Sequence, residues 1–275
     1  MSVVNTNMSA VKVQQALVVN SRDLASATQQ IATGRRINGA ADDAAGLAVS
    51  NKLSTQAKSL DMAVRNANDG ISLLQTADAA TSELTNILVR MRELAIQAAN
   101  DTYSNTDRDA LQVENASLQA QVGNILENAK WNGMKILKGE AGTSGAVRFH
   151  VGASGTDYVE VSMATLNTGD LLAAQSSTIT SLSSATSSIE TIDDAISELN
   201  VARTRWGAVA NRLVHSMDNA SNVSLQSKST VSTVTDADYA KATAELARSM
   251  ILDQAGSAML SQANQQPYYV LALLR

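Results

Sequence analysis

Apolar positions spaced alternately three and four residues apart recur along most of the chain. This spacing places one apolar stripe on each of several packed helices. It predicts helices over about 44–99, 111–129 and 189–220. Between the first two, Thr106 and Asp109 have the spacing of a helix-starting capping box. We therefore expect a mainly α protein, built as a long antiparallel helical bundle or coiled coil and not as a globule around a central pocket.

One stretch has the two-residue period of a β-strand instead. Apolar residues alternate over 147–151 and over 159–163, and the Gly-containing sequence GASGTD separates the two runs. This pattern predicts a small β-hairpin near 145–165 with one face packed on the bundle. The Ser/Thr-rich joint over 174–188 is either a flexible connection or the start of a helix, and its composition leaves both open.

Both ends of the chain also carry apolar stripes. A single helix pair has little core to offset the entropy of ordering it. We therefore expect both ends to be poorly ordered in the free subunit, and the terminal helices to fold and pair where subunits associate, with an Ala-lined face that allows close approach. The predicted stripe residues are Leu17, Leu24 and Ile31 near the N-terminus and Ala240, Ala244, Ala247, Ile251, Ala255 and Ala258 near the C-terminus.

Composition agrees with long, slender helices and excludes several classes of protein. With one Pro in 275 residues, the helices are rarely interrupted, and with 3% aromatic residues, the contacts between them consist of small and aliphatic side chains. Zero Cys excludes disulfides and thiolate metal sites. A net charge of −5 argues against nucleic-acid binding. No apolar run approaches the ~20 residues that cross a bilayer, so we expect no membrane insertion. The first residues lack the basic and apolar regions of a cleaved signal peptide.

The chain offers no arrangement of residues that is typical of catalysis. The adjacent acids Asp42-Asp43 and Asp193-Asp194 would point about 100° apart on a helix, so capping or solvated roles are expected for them. His150 and His215 have no metal-ligand spacing, and no phosphate-binding glycine loop or nucleophile elbow occurs. We expect no catalytic residue, metal site or cofactor, and hence no enzyme.

Five segments resemble conserved regions of bacterial flagellin. RRINGAADDAAGLAVS (35–50), RNANDGISLLQTADAA (65–80) and VRMRELAIQAAN (89–100) resemble its N-terminal region. WNGMKIL (131–137) resembles the F-N-G-x-K-L-L turn of the family, with Trp131 in place of the usual Phe. DADYAKATAELARSMILDQAGSAMLSQANQQPYYVLALLR (236–275) is similar to the flagellin C-terminus.

This resemblance implies a structural subunit that polymerises with copies of itself into the bacterial flagellar filament used for swimming. It implies that residues 1–43 and 236–275 are helices of the inner (core) domain and that 44–235 is a helical rod domain. The short middle of the chain implies that variable outer domains are missing. Export to the extracellular filament without signal-peptide cleavage is expected, with a flagellar cap protein, a hook–filament junction protein and an export chaperone as further partners.

Residues 89–100 with Glu114 also resemble the epitope that an animal Toll-like receptor reads in flagellins. Arg90, Leu94 and Glu114 match the positions credited with that contact. The same residues could instead contact a neighbouring subunit in the filament, and the sequence does not decide between these two interpretations.

Two other classes of protein share some of these sequence features. A hook–filament junction protein has similar termini but is expected to carry a larger central region. An intracellular coiled-coil adaptor would share the heptads, and assembly of the secreted chain into filaments would exclude it.

Overall fold

The computed structural model describes residues 6–143, 145–163, 166 and 169–273. Its helices are α1 (Met8–Thr33), α2 (Ala44–Ala98), α3 (Asn105–Asn128), α4 (Asp170–Gln175), α5 (Leu182–Thr235) and α6 (Tyr239–Leu273). Its strands are β1 (Lys130–Trp131), β2 (Met134–Lys135), β3 (Ala146–His150) and β4 (Tyr158–Ser162). The expected mainly α fold with a small hairpin region is confirmed.

Short polar side chains set where the helices begin. Asp43 accepts a hydrogen bond from the Gly46 N–H at 2.8 Å at the start of α2, and Asp42 accepts from the Asn38 and Gly39 N–H groups in the preceding turn. This acid pair therefore has the turn and capping roles expected of it.

The capping box of α3 lies two residues earlier than the sequence suggested. Ser104 and Asp107 form it: the Asp107 N–H donates to the Ser104 hydroxyl, and the Ser104 N–H donates to the Asp107 carboxylate at 3.0 Å. The prediction of Thr106 and Asp109 was wrong, because Asp107 also accepts the hydroxyl hydrogen of Ser104 at 2.7 Å and so favours the earlier start.

The chain divides into two compact units. The rod unit spans Gln56–Leu225, and the terminal unit comprises the described residues up to Thr55 and from Gln226 onward. The predicted domain limits, 43/44 and 235/236, coincide with the first residue of α2 and the last residue of α5, whereas the compact units divide inside these two helices.

The apolar core belongs to the rod unit. Its fully buried side chains include Leu84, Leu88, Met91, Leu126, Ile192 and Leu213, which are 0–1% exposed. Trp206, the bulkiest seam residue of α5, is 3% exposed and donates from its indole N–H to the Ser162 carbonyl at 3.5 Å. Burial of each large side chain stabilises the unit by about 1.5–3 kcal/mol, so the rod has a core of its own.

The β3–β4 hairpin packs one face on this core. Val147 pairs with Val161 and Phe149 with Val159, and Val159 and Val161 are 5% and 2% exposed. Asn66 of α2 donates to the His150 carbonyl at 3.1 Å. The alternation seen in the sequence therefore gives the correct inward face.

A second, shorter hairpin follows α3. The turn between β1 and β2 is Asn132-Gly133, with φ values of 46° and 81°. Two successive positive φ angles define the tight turn that Asn-Gly favours, so the WNGMKIL segment is a β-hairpin.

We predict that Gly70→Ala destabilises the rod unit. A Cβ at residue 70 would lie 3.0 Å from both the Leu213 Cδ1 and the Phe149 Cγ atoms. Overpacking of this kind costs about 1–3 kcal/mol, which outweighs the gain of about 1 kcal/mol from replacing a helical Gly. Urea unfolding followed by circular dichroism should show a net loss of about 1 kcal/mol.

Gly207→Ala is the matched control. A Cβ there meets no atom within 4 Å, so only the helix propensity should act and the variant should be up to about 1 kcal/mol more stable. Equal stability changes in the two variants would contradict the packing assigned to Gly70.

We also predict a pH dependence at Glu127. Hydrogen bonds from Lys135 and then Lys138 lower the pKa of Glu127 to about 2, from 4.5. A lowered carboxyl pKa stabilises the fold above the unfolded pKa, and this stabilisation is lost as the pH falls through the folded value. Glu127→Gln should therefore lower the melting temperature at pH 7, and the difference from the unmodified chain should vanish as the pH falls from about 5 to about 2.

Glu140→Gln is the control for that measurement, since its carboxylate is 3.9 Å from Lys135 and 58% exposed. A pH-independent difference for Glu127→Gln would contradict the ionic role of this carboxylate.

Candidate assembly interface

Three long-range hydrogen bonds hold α1 and α6 together as an antiparallel pair. The Asn7 side chain donates to the Ala263 carbonyl at 2.7 Å, Asn20 donates to Ser249 at 2.8 Å, and the Tyr239 hydroxyl donates to Ile31 at 3.0 Å. Asn20 and Tyr239 each donate from one helix to the other, and Asn7, which caps the N-terminus of α1, donates to α6, so together the three bonds set the register along both helices. This pairing forms within a single chain.

The connections to these helices are tied to each other as well. The Arg36 N–H donates to the Thr235 carbonyl at 2.7 Å, and the Ala237 N–H donates to the Gly34 carbonyl at 2.9 Å. Gly34 ends α1 with φ at 69°, a left-handed value that Gly adopts without strain. The C-terminus of α1 is thereby fixed beside the N-terminus of α6.

The middle of the pair is packed closely where side chains are small. A Cβ on Gly256 would lie 2.5 Å from Leu17 Cδ2, so Leu17 occupies the space that Gly256 leaves. An apolar groove of about 270 Å³ runs beside this contact and is lined by Val13, Ala16, Leu17, Asn20, Leu252, Ala255, Gly256 and Met259.

Of the two predicted stripes, the N-terminal one lies in the contact between α1 and α6, and the C-terminal one faces away from that contact. Leu17, Leu24 and Ile31 are half-buried, on the face of α1 that also carries the buried Asn20 and Ala27. The face of α6 buried in the seam carries Ala242, Ser249 and Ala263, at 5%, 4% and 7% exposure. All six members of the predicted C-terminal stripe are exposed: Ala240, Ala244, Ala247, Ile251, Ala255 and Ala258, hereafter the α6 stripe.

Large apolar side chains on the terminal unit are exposed alongside this stripe. Ile251 is 66% exposed, and Val11, Val18, Val19, Met250, Leu252 and Met259 are 48–55% exposed. Large apolar side chains exposed together on two paired helices are a candidate surface for association between proteins. The terminal unit therefore presents an unsatisfied apolar surface.

The residues that fix the seam carry only a weak signal in the amino-acid sequence. Asn20 lies in the apolar phase of α1, three residues after Leu17 and four before Leu24, and an amide there could have indicated a buried polar contact. Nothing in the local pattern around Asn7, Tyr239 or Gly256 pointed to a partner more than 200 residues away, such as Ala263 at 256 residues from Asn7.

A second candidate surface lies on the rod unit. The Arg90 guanidinium donates to Glu114 at 2.8 and 3.0 Å and to Glu93 at 2.9 Å, and Glu114 is the largest cause of the raised pKa of Arg90. The Arg90 and Glu114 side chains are 50% and 47% exposed. Leu94 is 1% exposed in the rod core, so it supports this surface from below and does not reach solvent.

Among the residues that the structure describes, no group of three or more His, Asp or Glu could hold a metal ion. Over the same part of the chain, no helix is long and apolar enough to cross a membrane.

The long helices and the exposed apolar side chains of α1 and α6 are typical of a structural subunit and not of an enzyme with a central pocket. Comparison with known proteins names the class. Residues 4–142 match the bacterial flagellin N-terminal helical region, and residues 189–274 match the bacterial flagellin C-terminal helical region. The chain belongs to the bacterial flagellin family.

Individual relatives agree over nearly the full chain. A flagellin of Halalkalibacterium halodurans is 38% identical over 99% of this chain and 100% of its own length, and flagellin FlaB1 of Treponema pallidum is 35% identical over 99% and 100%. The crystal structure of Bacillus cereus flagellin is similar with a TM-score of 0.50 and 30% identity, covering 57% of this chain and 88% of that one.

These matches establish a structural subunit of the extracellular flagellar filament that serves motility. Because these two relatives align over 99% of this chain and 100% of their own length, the chain is a short flagellin without large outer domains.

Proposed function

We propose that the filament assembles by burying the α6 stripe and the exposed apolar residues of α1 against neighbouring copies of the chain. The observation that carries this proposal is the exposure of the whole α6 stripe while the opposite face of α6 is buried on α1. The exposed apolar face of α6 would be stabilised by packing against another helix. In a polymer, neighbouring copies of the chain can provide that helix for every subunit.

The chemistry of the stripe suits close helix packing. Five of its six members are Ala, whose small side chain lets another helix approach, and Ile251 supplies one large apolar group. Full burial of an Ile contributes about 1.5–3 kcal/mol, and repetition along a polymer multiplies that contribution.

We predict that Ile251→Asp abolishes polymerisation and leaves the free subunit helical. The residue is 66% exposed in the single chain, so a carboxylate costs little there, whereas burying an unpaired charge between subunits costs several kcal/mol. Sedimentation of polymer and circular dichroism of the monomer measure the two effects.

Ile251→Leu is the matched control and should polymerise as the unmodified chain does, because volume and apolarity are kept. Normal filaments from Ile251→Asp would contradict the role proposed for the α6 stripe.

The subunit's route to the filament follows the family. We propose export through the flagellar type III channel without signal-peptide cleavage, with assembly beneath a cap protein onto a hook–filament junction protein. The exposed apolar residues of α1 and α6 would promote aggregation before export, so an export chaperone that covers them is part of this proposal. The absence of Cys suits passage of an unfolded chain.

A second candidate function is recognition by an animal Toll-like receptor through Arg90 and Glu114. The observation that favours it is their placement together at the rod surface, with a charged face half open to solvent. Leu94 would contribute indirectly, because its buried side chain anchors α2 in the rod core and so fixes the position of Arg90 on the same helix.

We predict that Arg90→Ala lowers receptor signalling by at least about tenfold, as loss of a central interface Arg commonly does. A cell reporter with soluble monomer measures it. Arg148→Ala is the matched control, since Arg148 is 60% exposed and paired with Glu160 in a similar way. Unchanged signalling from Arg90→Ala would contradict the contact and favour the subunit-interface reading.

A further inference from the structure

The exposure of the described methionine side chains ranges from fully buried, through the half-buried Met134 and Met217, to open. Met91 and Met163 are 0% exposed in the rod core. Met8, Met250 and Met259 are 52%, 52% and 55% exposed, and all three lie on α1 or α6. Oxidation of a thioether depends on access of the oxidant to sulfur. Several of the most accessible sulfur atoms therefore lie on the surface that the proposed assembly buries.

We propose that Met250 and Met259 are oxidation sites of the unassembled subunit and that their sulfoxides block polymerisation. This inference rests on the proposed assembly through α6. Met250 precedes Ile251 of the α6 stripe, and Met259 lines the apolar groove beside Leu17 and Gly256. At about 100° per residue, Met250 and Met259 lie about 180° apart around α6 and flank the α6 stripe on its two sides, so copies packed against the stripe would contact both of them.

The reaction is oxygen transfer from a peroxide. The thioether sulfur attacks one oxygen of hydrogen peroxide, a sulfur–oxygen bond forms and the oxygen–oxygen bond breaks. The other oxygen leaves as water with both protons. Sulfur loses two electrons and the peroxide gains them, so methionine becomes methionine sulfoxide.

The product changes how the side chain can be buried. A sulfoxide is polar and strongly accepts hydrogen bonds, while the groove around Met259 is lined by Val, Ala, Leu and Gly with Asn20 as its one polar side chain. The Asn20 amide already donates to Ser249. Among the side chains that line the groove, a buried sulfoxide would have only the second N–H of Asn20 as a donor. Replacing an apolar thioether by this polar group in an otherwise apolar groove weakens association.

Met62 provides an internal comparison on the rod unit. It is 47% exposed, so it should oxidise at a rate similar to that of Met250 and Met259. Its oxidation would leave the α6 stripe unchanged.

The test treats folded, full-length monomer with dilute hydrogen peroxide and maps sulfoxides by peptide mass spectrometry. Met250 and Met259 should oxidise at least about tenfold faster than the buried Met91 and Met163. The treated monomer should need at least about a tenfold higher concentration to polymerise onto filament seeds, followed by light scattering. Repair by methionine sulfoxide reductases should restore polymerisation.

The double variant Met250→Leu, Met259→Leu is the matched control. Leu keeps the volume and the apolar character, so this variant should polymerise both before and after peroxide. If it loses polymerisation on treatment as the unmodified chain does, the damage lies elsewhere and the inference is overturned. Unimpaired polymerisation of chains with sulfoxide at both positions also overturns it.

Failure of this inference is distinguishable from failure of the proposed assembly. If Ile251→Asp blocks polymerisation but sulfoxides at 250 and 259 do not, only the oxidation inference falls. If Ile251→Asp polymerises normally, the proposed use of the α6 stripe falls first. Oxidation of Met250 and Met259 in finished filaments at the rate seen in monomer also contradicts burial of these residues.

Discussion

The pairing of α1 with α6 is the contact on which the assembly surface depends. Three side-chain hydrogen bonds fix its register, through Asn7, Asn20 and Tyr239, and the apolar side chains it fully buries are few and small, such as Ala27, Ala242 and Ala263. The seam is therefore well specified but only weakly stabilised by apolar burial. Because Ala242 and Ser249 face α1, the α6 stripe is left exposed on the other side of the helix.

The rod unit is organised by a different balance of forces. Its seams bury Leu, Ile, Met and Trp side chains, and the β3–β4 hairpin packs against them through Phe149 and Val159. This unit can be stable as a single chain, whereas the terminal unit exposes Ile251 and several Val and Met side chains. The chain thus combines a unit with a complete core and a unit that leaves large apolar side chains exposed.

The sequence predicts most of the helices because their apolar periodicity is long and regular. The limits of α2 and the inward face of the hairpin are both correct, since the burial of one face imposes the period directly. The start of α3 was misplaced because Ser104 and Thr106 each have an Asp three residues later, and the choice depends on local geometry. The identity of the flagellin family was visible in the conserved end segments.

The candidate site was only partly predictable. The residues of the α6 stripe follow from periodicity, but the partner of each terminal helix does not, since Asn7 and Ala263 are 256 positions apart. Leu94 is a residue for which the resemblance and the apolar pattern disagree. The resemblance places it in a receptor epitope, whereas its position on the apolar stripe of α2 buries it in the rod core. Local patterns indicate which face is apolar, and tertiary packing decides which apolar face remains open.

The most direct test of this account is a near-atomic cryo-electron microscopy map of the polymerised chain. We predict that Ala244, Ile251 and Ala255 contact helices of neighbouring subunits and lose nearly all of their solvent exposure, while Asn20 still donates to the Ser249 carbonyl of its own chain. A filament in which these three residues face open solvent, or in which α1 and α6 of one chain are separated, would contradict it.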